Sequence, residues 1–369
     1  MGRRLVAAML VAALLLASGC APRPAEEAAS AFVTVKEGKF WLNGKPFRFA
    51  GNNTYYLALS QRPEDEANVD RILQANKEKG VRVMRIWAFW DGDSRGFQPR
   101  LGEYNEKAFG RLDLVLQKAA EYDIRLILVF TNNWKDYGGM DKYVQWVGAE
   151  KHEDFYTHPQ IVEAYKNYIR HMVTRVNTLT GVPYKDDPTI MAWELANEPR
   201  AQADKSGETI FRWASEISAL IKSLDANHLV AIGDEGWFKR SSGDWAYNGN
   251  EGVDWDRNLT IPTVDFAVFH MWIEHWKKDL AWSDRWIKDH VETARKAGKP
   301  VVLEEYGAFA KPAERDVWFA RWYKSMEEAK IDGSMAWMMS EKEHDDNHPG
   351  FTHTGSTARL LAEHAARMK

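Results

Sequence analysis

Cysteine is almost absent from this chain of 369 residues: Cys20 stands alone, so no internal disulfide can form and stability must come from the core. Basic clusters are missing as well. No run of five or more Lys or Arg occurs and the formal net charge is −4, which argues against a nucleic-acid binder. The apolar run from Leu5 to Ala17 is too short to span a bilayer as a stable helix. No internal repeat or low-complexity segment divides the chain, so nothing marks a second domain. What remains is 45% hydrophobic and 28% charged, an ordinary globular composition that fits one large domain or two small ones.

The N-terminus reads as a targeting segment. Arg3 and Arg4 precede the short apolar run, and Ser18-Gly19-Cys20 supplies the small residues that end a secretory signal. Ala17-Ser18-Gly19-Cys20 resembles a bacterial lipoprotein signal box, with Ala17 where the box usually has leucine. That resemblance implies lipidation of Cys20 and a membrane anchor on an exported protein at the outer membrane or cell surface. Plain cleavage, with a periplasmic or secreted product and an incidental Cys20, is the alternative. Residues 1–20 are thus a signal peptide. Residues 21–31, rich in Pro, Ala and Glu, are a disordered tether, and residues 32–369 form one domain.

Phe32–Val35 and Phe40–Leu42 flank Lys36-Glu37-Gly38-Lys39 and predict a small N-terminal hairpin, after which Asn43-Gly44 turns the chain again. Short apolar strands then alternate with amphipathic helical stretches. Strands are expected near 47–52, 82–87, 125–130, 189–195, 228–233, 264–269, 300–304 and 333–338. Helices are expected at Glu66–Glu78, Glu106–Tyr122, Ile161–Leu179, Thr209–Leu224, Asp284–Ala297, Ala313–Glu328 and Leu360–Met368. About eight strand–helix units make an α/β fold, the (β/α)8 TIM barrel, as a single domain behind the hairpin. An open doubly wound sheet would want a Gly-rich phosphate turn after its first strand, and Gly51-Asn52-Asn53-Thr54 is not one. Polar, aromatic insertions at 132–157, 199–207 and 234–260 fall after the third, fourth and fifth strands, on the face where a barrel keeps its site.

The chemistry concentrates in two strands. Thr189–Pro199 is a buried apolar run ending in Asn197-Glu198-Pro199, and Pro300–Gly307 repeats the design with Glu304-Glu305-Tyr306-Gly307. An acid at the lip of a buried strand is costly to desolvate unless it has partners or a task. The fourth and seventh strands lie across a barrel mouth from each other, which suits a two-carboxylate hydrolase. In a retaining glycosidase the two carboxyls stand about 5–5.5 Å apart, one as acid/base and one as nucleophile. Glu198 would protonate the leaving oxygen and then activate water; the acid of the seventh strand would attack the anomeric carbon. Seventeen tryptophans exceed what the core needs, and indole stacks well on sugar faces.

Asn197-Glu198-Pro199 and Glu305-Tyr306-Gly307 on these strands look like glycoside hydrolase family 5, of the clan of (β/α)8 retaining hydrolases, from about Phe32 to the chain end. Asn132-Asn133-Trp134-Lys135-Asp136-Tyr137-Gly138-Gly139, with Tyr143 and Trp146, is similar to the third-strand loop of the family's endo-β-1,4-mannanases. So are Gly51–Tyr56, Arg85-Ile86-Trp87-Ala88-Phe89 and Gly233-Asp234-Glu235-Gly236. Neighbours on a strand point to opposite faces, so only one of Glu304 and Glu305 is expected to face the site. The family pattern, acid before an aromatic-Gly pair, selects Glu305 as nucleophile.

The resemblance implies further roles. Arg85 braces Glu305 and keeps it ionised, Asn197 bonds the sugar 2-hydroxyl, and Trp337 is the floor under the sugar at the cleavage point. Trp87, Asn133 and His270 are substrate-binding. The family's mannanases commonly carry His-x-Tyr where this chain has His270-Met271-Trp272, leaving open how Trp272 serves Glu305. Glu194 and Glu235, by their place at strand ends, are further acids expected to be supporting or structural. The implied substrate is a β-mannan polysaccharide, handled without cofactor or metal by a monomer. An exo-β-mannosidase, another β-1,4-glycanase and a non-catalytic glycan-binding surface lipoprotein are the alternatives. The loop Glu343–His348 lacks helical His-x-x-x-His spacing and is expected to be solvated or to contact substrate rather than to bind metal.

Overall fold

A computed structural model of the chain describes residues 31–59, 65–340 and 348–369. The targeting segment with Cys20, the tether up to residue 30 and residues 341–347 of the His/Asp loop lie outside them.

The described chain opens with the expected hairpin, β1 (Thr34–Lys36) and β2 (Lys39–Leu42), and adds a third antiparallel strand, β3 (Lys45–Pro46). Eight parallel strands follow: β4 (Phe49–Asn53), β5 (Val83–Trp87), β6 (Arg125–Val129), β7 (Ile190–Glu194), β8 (Leu229–Ala231), β9 (Ala267–Met271), β10 (Val301–Tyr306) and β11 (Gly333–Ala336). All eight fall where the apolar runs place them. The order β8-β7-β6-β5-β4-β11-β10-β9 wraps the first barrel strand against the last, Phe49 opposite Gly333 and Asn52 opposite Ala336. Between β8 and β9 the ring is joined by single bonds, Asp265 N to Val230 O (2.8 Å) and His270 N to Glu235 O (3.2 Å). This is a (β/α)8 TIM barrel.

The main outer helices are α1 (Asp65–Glu78), α2 (Glu106–Glu121), α5 (Pro159–Thr174), α6 (Glu208–Leu224), α8 (Leu280–Lys296), α9 (Pro312–Ala329) and α10 (Ser356–Arg367). In α2, Ala108, Phe109, Leu112, Val115, Leu116 and Ala119 recur on one buried face, and Asn105 caps its start by accepting from Lys107 N at 3.1 Å. The insertion at 132–157 is not plain loop: it holds α3 (Gly139–Val147) and α4 (Asp154–Thr157), and the insertion at 234–260 holds the short α7 (Trp255–Asn258). One helix stops earlier than expected. α5 ends at Thr174 rather than Leu179, because Arg175 turns extended to grip buried Asp113 (3.0 and 2.8 Å), which Tyr184 and Thr178 also bond. Tertiary satisfaction of one buried carboxylate outweighs the local helical pattern.

Inside the ring, Val83, Ile127, Leu229, Val268, Val302 and Met335 pack with Phe40, Phe47 and Phe49, so the hairpin plugs the N-terminal end with an apolar floor. One inward position further along, the strands become charged: Val83 is followed by Arg85, Ala192 by Glu194, Val268 by His270 and Val302 by Glu304. Period-two alternation thus aims one polar layer at the C-terminal mouth.

Candidate active site

The seventh barrel strand departs from simple alternation. Leu303 pairs with Phe269 but Glu305 pairs with His270, so Glu304 is an extra residue on β10 and the strand bulges there. Both acids consequently lie in the interior, Glu304 by alternation from Val302 and Glu305 by the bulge. This corrects the expectation that only one of them faces the site. Glu305 is also within β10, which continues to Tyr306, rather than beyond its end.

Arg85 of β5 is fully buried at the centre of this layer. It donates to both oxygens of Glu194 (Nε at 3.1 and 3.0 Å, Nη2 at 2.5 Å), to Asn197 Oδ1 (2.8 Å), to Asn53 Oδ1 (3.3 Å) and to Glu305 Oε1 (2.5 Å). Burial alone would weaken its charge, but the acids around it, Glu194 first, more than offset this and hold the guanidinium charged. Glu194, expected to be supporting or structural, is the group that orients Arg85 toward Glu305.

Glu198 follows β7 with φ +53°, an uncommon conformation for a residue with a Cβ and one that strand geometry would not supply. Its N–H is held by Gly233 O (2.8 Å) and the preceding Asn197 N–H by Thr131 O (2.8 Å). Gly233 must be glycine for this: at φ +87°, a Cβ would lie 1.9 Å from Ala196 O and 2.4 Å from Glu194 Oε1. The Glu198 carboxyl accepts from Trp134 Nε1 at 2.6 Å and meets His270 Nδ1 at 2.7 Å. Burial pushes it above the usual carboxyl range, against the pull of Arg200 and the Trp134 N–H.

Glu305 receives the indole N–H of Trp272 on Oε2 at 3.2 Å, so that residue supplies the donor for which a tyrosine hydroxyl was the family expectation. Arg85 does not by itself keep this acid low. Burial, with Glu198 adding to it, pushes Glu305 above the usual carboxyl range, against the pull of Arg85 and the Trp272 N–H. One oxygen each of Glu198 and Glu305 and a ring nitrogen of His270 lie within 4.8 Å of one another. That spacing would also admit a cation. Here, however, the carboxyls are already engaged: Glu305 Oε2, the oxygen 3.5 Å from His270 Nδ1, accepts from Trp272, and Glu198 meets His270 and Trp134. His270 is fully buried, which lowers its basicity and favours the neutral ring.

The remaining expected residues are distributed around this centre. Asn197 Nδ2 donates to Asn132 Oδ1 (2.9 Å), which fixes the amide beside Arg85. Trp337 closes one wall, stacked on Tyr55 (5.4 Å between ring centroids, 9° between planes) and edge-on to Trp272 (5.9 Å). Trp87 is only 5% exposed and stands behind Tyr55 and Tyr137. Asn133 accepts from His152 Nε2 (2.9 Å) and Arg200 N (3.3 Å), and lines a cavity of about 390 Å³ with Trp134, Asp141, His152 and Arg200.

Two residues at that cavity were not singled out from sequence. Trp134, 42% exposed, contacts Glu198 directly, and Arg200 lies 5.1 Å over its ring while its guanidinium is held by Glu235 (2.6 Å, twice) and Glu251 (2.7 Å). Burial pushes Glu235 to about 7, with Arg200 opposing. Trp134 was visible inside the Asn132–Gly139 motif. Arg200, adjacent to Pro199, carried no signal of its own, since its partners Glu235 and Glu251 lie 35 and 51 residues further along the chain.

A family model described as glycoside hydrolase family 5 β-mannosidase-like matches residues 30–327. The chain is similar to mannan endo-1,4-β-mannosidase 1 of Solanum lycopersicum, 38% identical over 92% of both chains. It is also similar to a probable mannan endo-1,4-β-mannosidase C of Aspergillus terreus, 40% identical over 75% of this chain and 73% of that one. Among solved structures, the endo-1,4-β-mannanase of Rhizomucor miehei aligns with a TM-score of 0.84 at 38% identity, covering 91% of this chain and 99% of its own. The endo-β-1,4-mannanase of Thermotoga petrophila aligns at 0.81 and 40% identity, covering 88% and 77%.

Proposed function

Because this chain belongs to the β-mannosidase-like members of glycoside hydrolase family 5, we propose that it is a retaining endo-β-1,4-mannanase. It hydrolyses internal β-1,4-mannosidic bonds of mannan, glucomannan or galactomannan by double displacement. The observation that carries the mechanism is the approach of Glu198 and Glu305 to within 4.8 Å through one oxygen each, the short separation of a retaining pair.

In the first step Glu305, oriented by Arg85 and Trp272, attacks the anomeric carbon while Glu198 gives its proton to the leaving oxygen. In the second, the Glu198 carboxylate takes a proton from water, which attacks the same carbon and releases Glu305. Burial suits Glu198 to start protonated, and the Arg85 ion pair with the Trp272 N–H suits Glu305 to start ionised. Trp337 offers an aromatic face to the sugar at the cleavage point, and Asn197 an amide to its 2-hydroxyl. The cavity lined by Trp134 and Arg200 adjoins Glu198 through the Trp134 indole, and sugars on the leaving side placed there would suit internal cleavage.

Product analysis tests this reading. Residues 32–369 incubated with linear mannan, glucomannan and soluble cellulose are expected to give a ladder of short manno-oligosaccharides, absent with Glu305→Gln. Mannose or mannobiose alone would replace the endo reading with an exo one, and turnover of glucan only would move the substrate to another β-1,4-glycan.

We further propose that the enzyme is exported and held at a membrane by lipid on Cys20, a reading supported by Arg3, Arg4, the apolar run and the Ala17–Cys20 box. Cys20→Ser is expected to move activity from the membrane fraction to the soluble one; unchanged fractionation would remove the anchor from the reading.

A further inference from the structure

One buried acid of the site takes no part in the two steps above. Glu304 is wholly buried, and among the described residues no N–H or O–H donor reaches either of its oxygens. Its nearest cationic nitrogen, Arg85 Nε, is 3.7 Å away, and His270 Nε2 is 3.6 Å away; both exceed hydrogen-bond distance. Arg85 has already committed its donors to Glu194, Asn197, Asn53 and Glu305. A second carboxyl, that of Glu194, stands at the same Arg85 Nε and takes its N–H at 3.1 and 3.0 Å, leaving Glu304 outside at 3.7 Å.

Where two buried carboxyls crowd one N–H and only one of them accepts it, a proton on the other removes both its charge and its need for a donor. Glu194 accepts three contacts from Arg85 and Glu304 accepts none, so Glu304 is the place for that proton. Charge counting agrees. Arg85 is the cation that Glu194, Glu304 and Glu305 share, and three ionised acids on one guanidinium would leave a double negative charge sealed from water. The other groups facing Glu304 do not change the count. His270 on β9 is favoured neutral, and the Asn53 amide on β4 donates to the Glu304 main-chain oxygen at 2.8 Å.

We propose that Glu304 is a neutral carboxylic acid in the working enzyme, a positioning residue set among Arg85, Glu194 and the His270 ring beneath the catalytic pair. It thereby leaves the positive charge of Arg85 to the nucleophile. The β10 bulge has a purpose in this arrangement: it sets two acids at successive inward places, the lower neutral and the upper ionised. An ionised Glu304 would repel Glu305 and would draw Arg85 Nε away from Glu194, tilting the guanidinium off the nucleophile. Burial, then Glu194, pushes the Glu304 carboxyl well above the usual range, with Arg85 opposing.

The inference rests on Glu305 being the nucleophile, and infrared difference spectra test it without reference to any polysaccharide. At about pH 8, where an ordinary glutamate is fully ionised, wild type minus Glu304→Gln is expected to show the C=O stretch of a protonated acid, shifted in D2O. A carboxylate band pair in its place overturns the proposal. Glu304→Asp, should the Gln variant not fold, is expected to move that band rather than abolish it; a spectrum without the band again overturns it. In kinetics, Glu304→Ala is expected to lose at least about tenfold in kcat, with Gln restoring most of it. The acid limb of kcat/KM for Gln should stay within about 0.3 of a pH unit of wild type, whereas removal of a real negative charge would lower it by about one unit. A dead Glu304→Gln beside an active Glu305→Gln would overturn the proposal and make Glu304 the nucleophile.

Discussion

Glu305→Gln is expected to lower kcat on mannan by about 10⁴-fold or more, because an amide can neither attack the anomeric carbon nor hold a glycosyl ester. The fold should survive. The replacement is isosteric, Trp272 can still donate to the remaining carbonyl oxygen, and Glu194 retains Arg85 through three contacts. A shorter variant makes the test sharper. Glu305→Ala opens a space on the attacking face, into which a small anion such as azide can enter. Azide should then restore turnover of an activated mannoside and leave a glycosyl azide of inverted configuration, readable by NMR. A variant within tenfold of wild type would remove Glu305 from the nucleophile's role.

Glu198→Gln should separate the two halves of the reaction. General acid help is worth about 10²- to 10⁴-fold, so that loss is expected on mannan, whose leaving alkoxide needs a proton. A mannoside with a dinitrophenolate leaving group needs none. Its first step should be nearly undisturbed while the second, now without a base, becomes slow, giving a burst of phenolate followed by a low steady rate. The basic limb of the pH profile should flatten at the same time, since that limb reports loss of the acid's proton. The two apparent pKa values belong to the coupled group of Glu198, His270 and Glu305 rather than to single residues. Equal losses on both substrates would rule out the acid/base assignment.

The sequence made the ring of strands plain because each strand is short, apolar and separated by an amphipathic helix; periodicity carries that information. It also exposed the acids of β7 and β10, since charge at the end of an apolar run is conspicuous. It could not show the bulge at Glu304. A bulge is settled by pairing with β9, and alternation read from one strand alone sends Glu304 and Glu305 to opposite sides. Arg200 was hidden for a related reason: its neighbours Glu235 and Glu251 come from another loop. Arg175 shows the same at a helix end, where Asp113, far away in sequence, sets where α5 stops.

The pairing of β4 with β11 also governs when this molecule can exist at all. Phe49 and Gly333, partners in the finished ring, are separated by most of the chain, so no N-terminal portion emerging from a ribosome can complete the barrel. Until the last strand arrives, the first presents an unpaired edge, and the growing chain is a ribbon open to wrong partners. The seam itself is tight: a Cβ at residue 333 would lie 2.4 Å from the Phe49 ring. Changes there act on the yield of folded protein rather than on its turnover, and the cost of closing the ring is charged to time.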